Sequence, residues 1–308
     1  MPAKILLTPR SVTRQGHPSL ARLQEAGFEL VFSQPGSLPK EDELISLLPG
    51  CAGWIAGVEP VSALVLESAP DLRVISRNGT GADSIDLAAA QRLGIKVLRA
   101  RGANARGVAE LTTALMLALA RSIPATDRSL KAGRWERQHG FELEGKTLGL
   151  IGCGTIGRLV TGFALALGMR VLGYDPSPDW SDAPAGFGYA DRADVFHESD
   201  VLSLHCPPPP DGPLLDAVTL ASLKQGVCII NTARAGLLDT EATLAALASG
   251  RVAGVALDVF EPEPPGDRRL LEHPRVIATP HIGGFTPQSI DRAMTQAVDN
   301  LLEALEPA

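Results

Sequence analysis

Lys146-Thr-Leu-Gly-Leu-Ile151 runs straight into Gly152-Cys-Gly-Thr-Ile-Gly157, and Arg158 to Leu167 continues as a helical stretch. The apolar run reads as a strand, and the three glycines each answer a different demand. The first permits a tight turn, the second lets backbone approach a pyrophosphate, and the third lets the helix pack close to the strand. The free N–H groups at the helix start then face the phosphates. The next strand, Met169 to Tyr174, ends in Asp175, 18 residues beyond Gly157. A carboxylate there accepts hydrogen bonds from ribose hydroxyls and repels a 2′-phosphate, favouring NAD over NADP, with Ser177 and Arg192 placed to modify that preference. A glycine turn followed by a surface aspartate is the plainer alternative. Strand, turn, helix and second strand in the right order make dinucleotide binding the better account.

Downstream of this unit, three polar residues stand where apolar strands end. Arg234 follows Val227–Asn231, Glu263 lies in Asp258-Val-Phe-Glu-Pro-Glu-Pro-Pro265 after Val252–Leu257, and His281 follows Val276–Thr279. Ligands of parallel sheets bind beyond the carboxyl ends of the strands, so residues far apart in sequence can converge there. Arginine clamps a carboxylate and polarises a keto oxygen. Histidine gives or takes the proton of a hydroxyl, and a carboxylate beside it orients the ring. Singly, each has a duller reading as a surface salt-bridge partner, a loop residue or a structural histidine. Together, behind a dinucleotide unit, they suit hydride transfer to a 2-keto acid.

Upstream, short apolar runs alternate with helical stretches. Ile5–Thr8, Leu30–Ser33, Trp54–Val58, Val74–Ser76 and Ile95–Leu98 read as strands, and Ser19–Ala26, Ser62–Ser68 and Leu87–Leu93 as helices. Gly27, Gly50 and Gly94 follow helical stretches, where a left-handed residue ends a helix at little cost. Such alternation implies parallel sheet with helices on both faces. The pattern then changes to a long apolar helix over 104–121 and a more polar stretch over 122–146. The tail from Thr286 to Leu305 reads as one amphipathic helix, with Thr286 as N-cap and Pro287 in the first turn.

The whole chain has 308 residues, 45% apolar and 20% charged, with a net charge of −7. That length suggests two domains. Acidity without any Lys/Arg run argues against nucleic acid or an anionic membrane as partner. Met1 to Pro9 reads as a buried strand without the features of a signal peptide, and Leu111 to Ala120 is about half a membrane span. Cys51, Cys153, Cys206 and Cys228 are scattered, which favours reduced thiols over disulfides or a metal site. A cytoplasmic protein is therefore expected. Cys206 reads as a buried or cofactor-lining thiol in preference to a nucleophile.

With these residues in place, the chain resembles the D-2-hydroxyacid dehydrogenase family, and within it the phosphoglycerate dehydrogenase-like branch. The likeness covers nearly the whole chain. It rests on Gly79-Thr-Gly-Ala-Asp83, Val108-Ala-Glu110, Trp135-Glu-Arg137, Gly152 to Gly157, Asn231 to Arg234, Asp258 to Pro265 and Pro280-His281. It implies an α/β architecture of two doubly wound parallel-sheet domains. Residues 1–100 with 285–308 would form a flavodoxin-like substrate domain, and 101–284 a Rossmann NAD domain. Arg234, Glu263 and His281 would be catalytic, Glu263 rather than Glu261 because it directly precedes Pro-Pro. Cofactor contacts would fall on Gly152, Gly154, Thr155, Ile156, Gly157, Asp175, Cys206, Thr232, Asp258 and Gly284. Substrate would be held by the backbone of Asn78, Gly79, Thr80 and Gly81, with Arg77 near a phosphate-bearing end and Gly57 where some relatives carry a second arginine.

The implied reaction interconverts a small anionic 2-hydroxy acid and its 2-keto acid with NAD, most like D-3-phosphoglycerate dehydrogenases. Glyoxylate or hydroxypyruvate reduction, or turnover of another anionic 2-hydroxy acid, is the alternative. Related formate dehydrogenases place glutamine beside the histidine, so Glu263 counts against formate. Outside enzymes, an NAD(H)-sensing binding protein is the competing class, and the complete catalytic set speaks against it. The resemblance also implies a homodimer, with 122–146 as an arm that carries Trp135 and Arg137 to the partner. Two positions depart from the pattern. Ala235 replaces a common glycine, and Pro207 to Pro210 stiffens a cofactor loop.

Overall fold

The computed structural model describes residues 2–305. Of the expectations above, the strand beginning at Met1 and the domain ending at Ala308 therefore reach residues outside that range. The described chain forms two compact units, Met1–Asn104 with Thr286–Ala308, and Ala105–Phe285.

The first unit carries β1 (Lys4–Leu7), β2 (Glu29–Phe32), β3 (Cys51–Ala56), β4 (Val74–Arg77) and β5 (Lys96–Arg99). They pair in parallel in the order β2-β1-β3-β4-β5. Every residue of β3 is buried, as a central strand covered on both faces requires. The turns that feed these strands use left-handed glycines where the sequence placed them, with φ of 88° at Gly27, 78° at Gly50 and 72° at Gly94.

One face of this sheet is covered by the helix Pro287–Leu305, which returns from the far end of the chain. The Thr286 hydroxyl accepts from the Ser289 N–H at 3.1 Å and caps its start. Met294, Ala297, Val298, Leu301 and Leu305 line its buried face against Ile5, Leu7, Ile55 and Val74. Gly53 sets how closely the helix can lie. A Cβ there would stand 2.8 Å from the Ile5 side chain and 3.0 Å from that of Leu305. Each large apolar side chain buried in this seam contributes roughly 1.5–3 kcal/mol.

The second unit holds β6 (Thr147–Ile151), β7 (Arg170–Tyr174), β8 (Phe187–Tyr189), β9 (Val201–Leu204), β10 (Val227–Asn231), β11 (Val252–Leu257) and β12 (Val276–Ala278). All neighbours are parallel, in the order β12-β11-β10-β9-β6-β7-β8. After β6 the chain builds outward through β7 and β8, then crosses back to β9 and builds the other way. That reversal opens a crevice at the carboxyl ends of β6 and β9. The long helix Ala105–Ala120 packs beneath this sheet, with Ala109, Leu115, Met116 and Ala120 in one core with Leu148, Leu150, Ile230 and Ala256.

Some elements escape the sequence reading. Helix Ile123–Lys131 occupies the stretch taken as merely polar, because its apolar Ile123 and Leu130 are exposed and give no buried stripe. Strand β8 spans three residues at a sheet edge, too short for a periodic signal. Among the described residues no single helix is long and apolar enough to cross a membrane.

Candidate active site

The crevice at β6 and β9 is shaped by backbone. Gly152 has φ of 98°, and a Cβ on it would stand 2.5 Å from the His205 carbonyl oxygen. A Cβ on Gly157 would press into the Gly152 carbonyl, so the protein's own packing requires both glycines. Gly154 is different, since a Cβ there would meet no protein atom within 4 Å. Its lack of a side chain serves nothing inside the chain and keeps open the approach to the helix Thr155–Ala166, whose start has no side-chain cap. That open approach above uncapped N–H groups fits a pyrophosphate.

Asp175 leaves the end of β7 with its carboxylate accepting from the N–H groups of Cys153 at 2.9 Å and Ser177 at 3.0 Å. It is thereby fixed beside the glycine turn with lone pairs to spare for ribose hydroxyls. Arg158, not singled out from sequence, ties this corner together. Its guanidinium donates to the Cys153 carbonyl at 3.2 Å, pairs with Asp179 and lies 5.2 Å over the Trp180 ring. Its place directly after the third glycine was the available signal. Burial, helped by the Asp175 charge, pushes the Cys153 thiol up to about 12. Burial likewise raises Cys206 to about 11, so neither sulfur is a thiolate near neutrality. Thr232 is buried and shares a 3.0 Å hydrogen bond with Thr112 of the long helix.

The next three strands deliver the polar set. After β10, the Asn231 side chain staples the loop, donating to the Arg234 carbonyl at 2.7 Å and accepting from the Ala233 N–H at 3.0 Å. The half-buried Arg234 guanidinium donates to the Ala233 carbonyl at 2.7 Å. At the end of β11, Asp258 is 1% exposed. Its carboxylate accepts from the Thr279 hydroxyl at 2.6 Å and from the N–H groups of Ile282 and Gly283 at 2.8 Å each. It thus ties the end of β11 to the turn after β12 and shapes the loop that presents His281. Gly284 lies just past the clamped residues. His281 itself has a left-handed φ of 52°, which a side-chain-bearing residue holds only when its surroundings impose it.

Glu263 meets His281 directly, its two oxygens 2.9 and 2.8 Å from Nδ1. The Phe260 N–H holds the same carboxylate at 3.0 Å. An acceptor at Nδ1 keeps a proton there and leaves Nε2 as the nitrogen that can exchange one with a ligand. Glu263 and His281 thus meet in the loops after β11 and β12, and Arg234 follows β10, the next strand over from β11.

In the first unit, Arg77 closes β4 and folds its guanidinium back onto the Asn78 carbonyl, alongside Gly79. The Asn78 N–H donates to the Ala56 carbonyl at 2.8 Å, and the Thr80 hydroxyl donates to the Ala100 carbonyl at 3.3 Å and meets Asn104 at 3.0 Å. Arg77 thus braces the Asn78–Gly81 loop. Among the described residues no cluster of His, Cys, Asp or Glu could hold a metal ion.

Residues 113–283 match the family model for the D-isomer specific 2-hydroxyacid dehydrogenase NAD-binding domain. The chain is 42% identical over 273 residues to a hydroxypyruvate reductase of Thermotoga maritima, covering 86% of this chain and 89% of that protein. It is 43% identical over 277 residues to the D-3-phosphoglycerate dehydrogenase of Homo sapiens, covering 88% of this chain and 51% of that one, so it spans about half of this longer relative. A crystal structure of a glyoxylate reductase from Paecilomyes thermophila superposes with a TM-score of 0.89 at 28% identity, over 99% of this chain and 96% of the other. With the fold, the cradle and these likenesses in agreement, the chain belongs to the NAD-dependent, D-isomer specific 2-hydroxyacid dehydrogenases, and its second unit contains the family's NAD-binding domain.

Proposed function

We propose that Arg234, Glu263 and His281 carry the interconversion of a small anionic 2-hydroxy acid and its 2-keto acid. The observation that carries this reading is the Glu263–His281 pair, held by the Asp258-clamped turn at the carboxyl edge of the sheet that bears the dinucleotide cradle. In reduction, the Arg234 guanidinium draws charge onto the keto oxygen and pairs with the carboxylate. His281 gives its Nε2 proton to that oxygen as the alkoxide forms, and Glu263 stabilises the ring while it is positive. NADH, when bound, supplies the hydride that reaches the keto carbon. In oxidation the hydroxyl proton passes to Nε2. The Asn78–Gly81 backbone takes the substrate carboxylate, and Asp175 selects NAD over its 2′-phosphorylated form. Asp258, Thr232, Cys206 and Gly284 line or shape the cofactor side.

For the substrate itself, a 3-phosphorylated acid comes first in this reading, supported by the name of the human relative and by Arg77. Hydroxypyruvate or glyoxylate is the alternative, supported by the names of the Thermotoga relative and the fungal structure. A homodimer is part of the same reading. Trp135 is 83% exposed on an extended segment beyond the exposed Ile123 and Leu130, apolar surface that a second copy would cover. The four free cysteines suit a cytoplasmic setting.

The test is NADH oxidation against a panel of 2-keto acids, for the wild type and His281→Asn. Loss of general acid–base help is expected to lower kcat by about 10²–10⁴, with NADH affinity nearly intact. Normal turnover in the variant would remove His281 from the reaction. NADH binding without turnover of any acid by the wild type would favour a sensing protein.

A further inference from the structure

The corner beyond β7 holds two carboxylates and one guanidinium, of which the cofactor reading uses only Asp175. Arg158 enters it from the first turn of the helix Thr155–Ala166. Cys153 joins the opposite charges. Its N–H donates to Asp175 at 2.9 Å, and its carbonyl accepts from the Arg158 Nε at 3.2 Å. Two hydrogen bonds and the width of one residue therefore put the guanidinium within about 10 Å of the carboxylate. The Cys153 thiol feels both charges, Asp175 raising its pKa and Arg158 lowering it.

Arg158 is anchored at this corner by more than its ion pair. Its guanidinium carbon lies 5.2 Å over the Trp180 ring, and Trp180 lies 5.0 Å from Phe187, which meets Tyr189 edge-on at 5.0 Å. Phe187 in turn packs against the core that holds Leu148 and Val171. The Arg158 Nη2 pairs with Asp179, which is 78% exposed. An exposed ion pair alone holds weakly. The aromatic plate and the Cys153 carbonyl keep the cation in place, so what Asp179 adds is the occupation of Nη2.

Dinucleotide folds discriminate between cofactors at this corner. An acid after the second strand takes the ribose hydroxyls of NAD, whereas an arginine nearby accommodates the 2′-phosphate of NADP. This chain carries both, and the arginine is already paired. We propose that Asp179 is a second specificity-determining residue for NAD, which by pairing with Arg158 withholds from a 2′-phosphate the guanidinium anchored beside Asp175. Repulsion by Asp175 is one part of the discrimination, and the quenching of Arg158 by Asp179 is the other. Removing Asp175 alone frees the Cys153 and Ser177 N–H groups for a phosphate but leaves the cation engaged. The inference rests on Asp175 as the acid that meets the ribose.

The experiment measures dissociation constants of NADH and NADPH by fluorescence titration, without turnover. It compares the wild type, Asp175→Ala, Asp179→Asn and the double variant. The wild type is expected to prefer NADH. Asp175→Ala should shift the affinity ratio towards NADPH by about tenfold, the scale of one like charge removed at short range. Asp179→Asn alone should shift it by less than about fivefold, as for one exposed ion pair, since Asp175 still repels the phosphate. The double variant should exceed the product of the two single shifts by about tenfold, because only there is the freed Arg158 met by a phosphate that nothing repels. Adding Arg158→Gln should abolish that surplus. Shifts that simply multiply, or a surplus that survives Arg158→Gln, would overturn the proposal. If Asp175→Ala does not fold, Asp175→Asn takes its place, since it keeps an acceptor for the Cys153 N–H. A ratio unmoved by either Asp175 variant would sink the ribose assignment and the proposal with it, an outcome distinct from simple multiplication.

Discussion

His205 and His281 are the same side chain put to opposite uses by their surroundings. His205, between β9 and the proline-rich loop, is half-buried, and desolvation alone drives its pKa down to about 4. Its ring shares a 2.9 Å hydrogen bond with Ser203 and stays neutral. His281 is half exposed and faces the Glu263 carboxylate. The first has a consequence for stability. With the unfolded value near 6.5, the unfolded chain binds the extra proton between pH ~6.5 and ~4, so stability is full above that window and falls as pH drops through it. The gap corresponds to about 3 kcal/mol. Urea unfolding at pH 7 and pH 4.5 should show a drop of that order in the wild type, much reduced in His205→Gln. An equal drop in both would assign the acid sensitivity to other groups. At this scale the sequence disclosed the residues that sit at strand ends, but not the partners of Asp258 or Arg158. Those partners arrive from positions such as Ile282 and Trp180, which no local spacing connects to them.

Among elements, the tie between the ends of β11 and β12 is the most exacting. The Asp258 carboxylate satisfies one hydroxyl and two backbone donors of a single turn, and removing it leaves all three without that acceptor. Buried donors left unpaired cost roughly 1–3 kcal/mol each, less where water can enter. Asp258→Ala should therefore lose about 2–4 kcal/mol in chemical denaturation, and kcat should fall because His281 is no longer presented at its left-handed φ. A loss too small to measure would mean that the turn stands by itself. The strands around this tie, Val227–Asn231 and Val252–Leu257, were legible to the residue because they are buried apolar runs with polar stops. Helix Ile123–Lys131 was not, because its apolar residues face outward and carry no information about an internal core. The alternation of runs was enough for the class of fold, two parallel sheets with interleaved helices. Strand order within each sheet needed contacts that only the folded chain supplies.

Over the whole molecule, the two units differ in how their chain is supplied. Ala105–Phe285 is continuous and contains its own cores, from the long helix under β6 to the cluster of Leu202, Leu204, Ile229 and Val255. Expressed alone, this segment is expected to fold and to quench its NADH-dependent fluorescence signal on titration as the intact chain does. A segment that is unfolded by circular dichroism would show that the remainder is needed for its core. The other unit is assembled from both ends of the described chain. That discontinuity matters during synthesis. Strands β1 to β5 leave the ribosome early, whereas the helix Pro287–Leu305 that seals Ile5, Leu7, Ile55 and Val74 follows roughly 180 residues later. At about 5–20 residues per second, the interval is roughly 10–40 s. For that time the nascent first sheet carries an uncovered oily face, a natural resting place for a ribosome-associated chaperone, while the NAD-binding unit can mature ahead of the part of the protein that was made first.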